Sequence, residues 1–288
     1  MSEKLNDLRF TDPTEPEIKP PYNPDDPMEI QGVFPEAGSS PQAGSIPLAR
    51  KVLVVMTNHA AYPTKEEHTG LWLTELTHFY QEFKAAGIQM DFVSPQGGKV
   101  PLDERSLGWL YIDDEAKALL DDPEFKQILE TTMSPEEVNP ADYQAIYYTG
   151  GHGTMWDYRN NQGLKQLAEI IYQNGGVVSA VCHGTAGLLN LTHQDGRPLI
   201  EGRKVTGFSN MEESLVGVKS QLPFLLEDEI QHQGADYDKS LIPFASHVVV
   251  DGRIVTGQNP GSSKEVAREV LHMVQARQSG AVQSVRRM

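Results

Sequence analysis

The 288-residue chain carries 24 basic and 40 acidic residues, and its formal charge of −16 sets it against nucleic acid and anionic membrane surfaces. Hydrophobic residues make up 39% and charged residues 22%, which supports a buried core and excludes wholesale disorder. The one cysteine, Cys182, excludes an intramolecular disulfide and a cysteine-rich zinc site, and no long apolar run offers a membrane span.

Residues 1–47 hold nine of the 19 prolines, with nine acidic residues against three basic ones and no apolar periodicity. They read as an acidic, proline-rich N-terminal arm, ordered or solvated, leaving 48–288 as one catalytic domain. The first residues lack the apolar stretch of a signal peptide, and a cytoplasmic location is expected.

Lys51-Val-Leu-Val-Val-Met-Thr57 is a short apolar run of the kind that forms a buried parallel strand. Residues 69–86 have helical spacing, with Leu73, Leu76, Phe79, Tyr80 and Phe83 on one side and Gly87 as the stop. Residues 89–94 read as the second strand, completing a βαβ unit. Residues 103–115 are expected as loop, 122–130 as helix, and Ser134-Pro-Glu-Glu137 as a helix start.

A strand over 144–149 runs into Gly150-Gly-His-Gly153, and a helix over 162–174 stops at Gly175-Gly176. A strand over 177–181 meets Cys182, and a helix is expected from 184 to 191. A short strand over 205–208, helical stretches near Met211 and over 222–233, a hairpin over 247–256 turning at Asp251-Gly252, and a helix over 262–276 complete the pattern. The alternation predicts an α/β fold with a mostly parallel sheet between helices.

Open α/β sheets bind ligands beyond the carboxyl ends of their strands. Two such ends carry chemistry here. Cys182 sits on a strand-to-helix turn like a nucleophile elbow, although Gly-x-Ser-x-Gly itself is absent. Taken alone, a lone cysteine is most often a small buried hydrophobe; its place before His183 and Gly184 favours a nucleophile. A helix N-terminus and His183 beside the sulfur lead us to expect a thiol pKa below the free value of about 8.5. The glycine loop at 150–153 is either a tight turn or a donor of backbone N–H groups to an oxyanion.

Ala180-Val-Cys-His-Gly184, Gly150-Gly-His-Gly153, Thr69-Gly-Leu-Trp-Leu-Thr-Glu75, Val205-Thr-Gly-Phe208 with Glu213, and Val255-Thr-Gly-Gln-Asn-Pro260 resemble the DJ-1/PfpI superfamily, most closely its Hsp31-like branch. The resemblance covers roughly residues 50–275. It implies a flavodoxin-like sandwich and a glutathione-independent glyoxalase that turns methylglyoxal and other 2-oxoaldehydes into 2-hydroxy acids such as D-lactate. It implies Cys182 as nucleophile, His183 as catalytic histidine, Glu213 as its orienter and Glu75 as a carboxyl facing the sulfur. Gly150, Gly151 and His152 become oxyanion or substrate-binding candidates, with the N–H groups of Gly151 and His183 as the donors. Glu213 has a neighbour, Glu212, that competes for the same role, and His152 also reads as a structural loop residue.

A glutamine amidotransferase would place His-x-Glu near the C-terminus, but His247 precedes Val248 and Val249. His59, His68 and His78 lie near Glu66, Glu67 and Glu75 without His-Glu-x-x-His spacing, so no metal is assigned. No Gly-x-Gly-x-x-Gly follows a strand, so no dinucleotide cofactor is expected. Four other roles remain open: a stress holdase binding unfolded clients, a cysteine peptidase or amidase, a deglycase, and a redox sensor. A homodimer is expected.

Overall fold

The computed structural model describes residues 51–285, with side chains to 279, so the expected arm at 1–47 lies outside the described residues. In chain order the elements are β1 (Lys51–Val55), α1 (Leu73–Ala85), β2 (Met90–Val93), α2 (Asp114–Asp121), α3 (Pro123–Glu130), β3 (Tyr143–Tyr148), α4 (Thr154–Asp157), α5 (Gln162–Gln173), β4 (Val177–Val181), β5 (Lys204–Val205), α6 (Asn210–Val216), α7 (Leu226–His232), β6 (Asp236–Tyr237), β7 (Val248–Asp251), β8 (Ile254–Gly257) and α8 (Ser263–Val285). Six strands form one sheet in the order β2-β1-β3-β4-β8-β7, parallel except for β7 against β8. The short β5 and β6 pair separately.

Burial on both faces explains the continuous apolar strands. All six residues of β3 and all five of β4 are buried, as a sheet covered on both sides requires. Successive side chains point to opposite faces. Tyr147 stacks on Phe79 of α1 with ring centroids 3.8 Å apart, whereas the Tyr148 hydroxyl donates to the Leu164 carbonyl of α5. α1 therefore covers one face, packed beside α8, and α5 covers the other.

The strand expected over 205–208 is only Lys204–Val205, the helix expected over 222–233 begins at Leu226, and the last helix runs on to Val285. Three further differences bear on the site. Residues 69–72 are extended rather than helical. Gly70 has φ +155, its neighbour Leu71 bridges Leu102, and the Trp72 N–H donates to the Gly150 carbonyl, so α1 begins only at Leu73. The expected loop over 103–115 holds a 3₁₀ turn at Glu104–Leu107, and α2 starts within it because Asp113 caps the N–H of Ala116. The stretch after Cys182 is a 3₁₀ helix, Cys182–Leu188, because the backbone is drawn tightly onto β3. A Cβ on Gly184 would lie 2.6 Å from the Thr149 oxygen, and one on Gly187 would lie 2.5 Å from the Tyr148 ring.

The Phe79 ring is fully buried between Tyr147 and Phe83, one helical turn from Glu75. Phe79→Ala should lower unfolding stability by about 3–5 kcal/mol. Urea denaturation at neutral pH measures it, and a loss well under 1 kcal/mol would show that this stack does not carry the α1 face.

Candidate active site

β1, β3 and β4 lie side by side, and the segments leaving their carboxyl ends converge on Cys182. The residue itself has φ +57, a left-handed conformation that a non-glycine residue adopts at a cost of about 1–3 kcal/mol. The surroundings enforce it. The preceding strand is fully buried, and the Cys182 carbonyl accepts from the N–H of Phe208. The sulfur ends up enclosed, with Cys182 2% and His183 1% exposed.

Glu75 stands on one side of the sulfur, in the first turn of α1. Its Oε2 accepts the Gly150 N–H at 2.7 Å, and its backbone carbonyl accepts the Tyr147 hydroxyl. A Cβ on Gly150 would meet Oε2 at 2.6 Å, the Val181 oxygen at 2.8 Å and the Cys182 Cβ at 3.0 Å, so only glycine fits there. Its Oε1 is buried with no hydrogen-bond partner. Burial pushes the carboxyl up to about 8, against the hydrogen bonds from Cys182 and Gly150. Glu75 is therefore a neutral acid at neutral pH.

The expected low thiol pKa is not what the site provides. Burial pushes Cys182 up, and an ionised Glu75 would push it further; the His183 N–H opposes both. The seven-residue 3₁₀ helix after it does not offset the loss of solvent. The thiol therefore needs a nearby base.

His183 supplies one. Its Nδ1 lies 3.3 Å from Sγ, and its Nε2 lies 2.8 Å from Glu213 Oε2. The other carboxylate oxygen, Oε1, lies 2.9 Å from Nε2 of His152. Burial opposes charge on Glu213, but the two histidines outweigh it and hold the carboxyl well below the usual range. Glu212 points the other way. It closes a capping box with Ser209 and accepts from Phe244 N, Gln258 Nε2 and Asn259 Nδ2, which ties α6 to the β8 end. The two adjacent glutamates thus separate into a structural anchor and a site carboxylate.

Four of the residues expected from the sequence, Cys182, His183, Glu213 and Glu75, meet here. The other three are placed differently from one another. Gly150 commits its N–H to Glu75 rather than to an open position. Gly151 has φ +99, and its carbonyl accepts from Thr154 N and Oγ1. His152 is buried with both ring nitrogens engaged, one by Glu213 and the other by Arg105, so neither is free to grip a small molecule.

Arg105, Asp103 and Tyr62 are neighbours without a motif of their own: Asp103 caps the short 3₁₀ turn that holds Arg105, and Tyr62 lies in loop. Among the described residues, His152, His183 and Glu213 are close enough to share a metal ion. Both Nε2 atoms and both carboxylate oxygens are instead hydrogen-bonded to one another. His59 stacks on Trp156 and bonds the Ala61 carbonyl, and His78 pairs with Asp113, so those histidines form no cluster. An open cleft of about 730 Å³, lined by Tyr80, Phe92 and Ile128 among others, contains none of the site residues.

Residues 68–273 match the model of the DJ-1/PfpI family. The chain is 38% identical over 226 residues to the glutathione-independent glyoxalase HSP31 of Saccharomyces cerevisiae, covering 76% of this chain and 95% of that one. It is 33% identical to glyoxalase 3 of Candida albicans, covering 77% and 97%. Among solved structures, glyoxalase III from Candida albicans superposes with a TM-score of 0.73 at 33% identity, covering 78% of this chain and 97% of that one. A 24 kDa rapid encystment protein of Francisella tularensis superposes with a TM-score of 0.75 at 39% identity, covering 78% and 99%.

A glutamate ordinarily ionises near 4.5, whereas Glu75 keeps its proton to about 8. Between those values the unfolded chain has released a proton that the folded chain holds, so Glu75 makes stability fall as pH rises through that window. Glu75→Gln keeps the neutral shape and removes the ionisation. The variant should match wild type in urea near pH 4.5 and exceed it near pH 8.5. An advantage that does not grow with pH would rule out a neutral Glu75.

Proposed function

The chain belongs to the DJ-1/PfpI family, and we propose that it is a glutathione-independent glyoxalase converting methylglyoxal and related 2-oxoaldehydes into 2-hydroxy acids, with D-lactate the product from methylglyoxal. The observation that carries this reading is the pairing at one sulfur of a base and a neutral acid. His183 Nδ1 stands 3.3 Å from Sγ, and the protonated Glu75 stands beside it. An isomerisation that moves one proton between carbons and another between oxygens needs both.

The thiol proton passes to His183 Nδ1, and the thiolate attacks the aldehyde carbon. The new alkoxide faces the N–H groups of Gly151 and His183 and takes the proton back, giving a hemithioacetal. His183 then removes the C1 hydrogen while Glu75 protonates the C2 oxygen, giving an enediol. Protonation at C2 by His183 and return of the C1 hydroxyl proton to Glu75 leave a thioester of the 2-hydroxy acid. Water hydrolyses it and restores the thiol. Ionised Glu213 holds His183 with Nδ1 toward sulfur and stabilises its imidazolium.

The enclosure of Cys182 and His183 favours a three-carbon aldehyde over a peptide, which needs an open groove beside the nucleophile. A second reading, holding of unfolded clients, has its own support. Leu107, Trp109, Leu110 and Tyr111 form an exposed apolar stretch, with Trp109 84% exposed, and Leu241 and Ile242 are exposed in a second stretch. The same surfaces suit a homodimer contact. The lone cysteine fits a reducing cytoplasm, the compartment in which we place the activity; no helix among the described residues is long and apolar enough to cross a membrane.

Purified protein given methylglyoxal without glutathione should form D-lactate, and Cys182→Ala should abolish this while remaining folded, at a stability cost on the order of 1 kcal/mol. Client holding needs no thiol, so the same variant should still suppress aggregation of a heated test protein. Unchanged lactate production by folded Cys182→Ala would sink the covalent mechanism.

A further inference from the structure

Arg105 lies outside every motif considered above, yet its Nη2 is 2.8 Å from Nδ1 of His152. A guanidinium only donates hydrogen bonds and does not lose its proton in proteins. A ring nitrogen at that distance must therefore be an acceptor, without a proton of its own. His152 is then neutral, its one proton sits on Nε2, and that N–H donates to Glu213 Oε1. The opposite tautomer would set an N–H against the guanidinium and a lone pair against the carboxylate.

The ring has no freedom to escape by turning. It packs against His183 with centroids 4.0 Å apart and against Tyr62 and Phe208 at 6.1 Å each. Arg105 is equally fixed. Its Nε and Nη2 grip the two oxygens of Asp103 at 3.0 and 2.8 Å, and the Tyr62 hydroxyl also lies against Nη2, whose two hydrogens are shared among Asp103, Tyr62 and His152. Asp103 is fully buried, accepts from Thr69 Oγ1, and anchors its N–H on the Leu71 carbonyl just ahead of α1.

We propose that Arg105 is a positioning residue of this site: by donating to Nδ1 of His152 it fixes that ring as the Nε2–H tautomer, gives Glu213 two histidine N–H donors, and so keeps Nδ1 of His183 directed at Cys182. The statement about catalysis rests on the proposed glyoxalase reading; the statement about tautomers does not. The charged and titratable groups facing the pair are Asp103, Tyr62 and Glu67 around Arg105, and Glu213 and His183 around His152. Burial pushes His152 down to about 4, with the neighbouring His183 and Arg105 acting in the same direction, which agrees with a ring that stays neutral.

The test is a nitrogen-15 ring correlation spectrum of the intact protein, which distinguishes the two tautomers and the imidazolium. Wild-type His152 should show the Nε2–H pattern unchanged between about pH 5 and 8. An Nδ1–H pattern, or titration within that range, overturns the proposal even if no variant folds. Arg105→Met keeps the bulk and removes the donor. In it His152 should lose the fixed pattern or titrate, and methylglyoxal turnover should fall by up to about a hundredfold in kcat. A His152 pattern identical to wild type in folded Arg105→Met would overturn the proposal. A wild type with the expected tautomers but no methylglyoxal turnover would leave the Arg105 assignment standing and remove the glyoxalase reading instead.

Discussion

A single buried carboxylate, that of Glu213, accepts an N–H from each of two imidazoles, and most of the site's geometry follows from this bridge. Each histidine must carry its proton on Nε2, which leaves both Nδ1 atoms directed away from the carboxylate. One faces Sγ of Cys182 and the other faces Arg105. The bridge also joins three separate stretches of chain: the loop between β3 and α4, the turn after β4, and α6. Its strength comes from burial: with little solvent to screen it, each charge-assisted hydrogen bond counts for more than on a surface.

The site holds two carboxyl groups in opposite states, and their surroundings decide which is which. Glu213 has two cationic or donating partners and stays ionised. Glu75 has the Gly150 N–H and the Cys182 thiol as partners and keeps Oε1 unpaired, among packed apolar residues such as Leu73, Leu76 and Phe79. Neutrality is the less costly state for such a group. A second permanent negative charge beside the sulfur would also oppose thiolate formation. The protonated carboxyl avoids that repulsion and offers a proton in its place. In the proposed reaction, two acids of the same residue type thus divide the labour of proton donor and charge stabiliser.

The strands were readable because a sheet buried on both faces needs unbroken apolar runs, and Cys182 was readable because it interrupts one of them at a glycine-rich turn. The choice between Glu212 and Glu213 was not fixed by pattern, since both lie in the first turn of α6 and differ only in which way they point. Apolar spacing alone puts the start of α1 four residues early, because it continues through Thr69–Trp72 while hydrogen bonds to Pro101 and Gly150 pull that stretch out straight. Asp103, Arg105 and Tyr62 carried no signal at all. They lie in loop and in a single 3₁₀ turn, too short for periodicity to mark a direction, and they meet His152 only through the tertiary fold.

The enclosure of Cys182 has a consequence for how the sulfur is activated. An exposed cysteine at the start of a long helix lowers its pKa through a standing field, and it reacts with any electrophile that reaches it. Here the sulfur is nearly fully covered, the helix behind it is a short 3₁₀ turn, and burial favours the neutral thiol. A thiolate then forms only when its proton has somewhere to go, and in the proposed reaction His183 at 3.3 Å is that acceptor. The left-handed conformation of Cys182 marks the point where the chain leaves the line of β4 and turns into the 3₁₀ segment that carries His183. Local backbone strain, a buried carboxylate bridge and a neutral acid thus act on one atom, and its burial favours a thiol that stays protonated at rest.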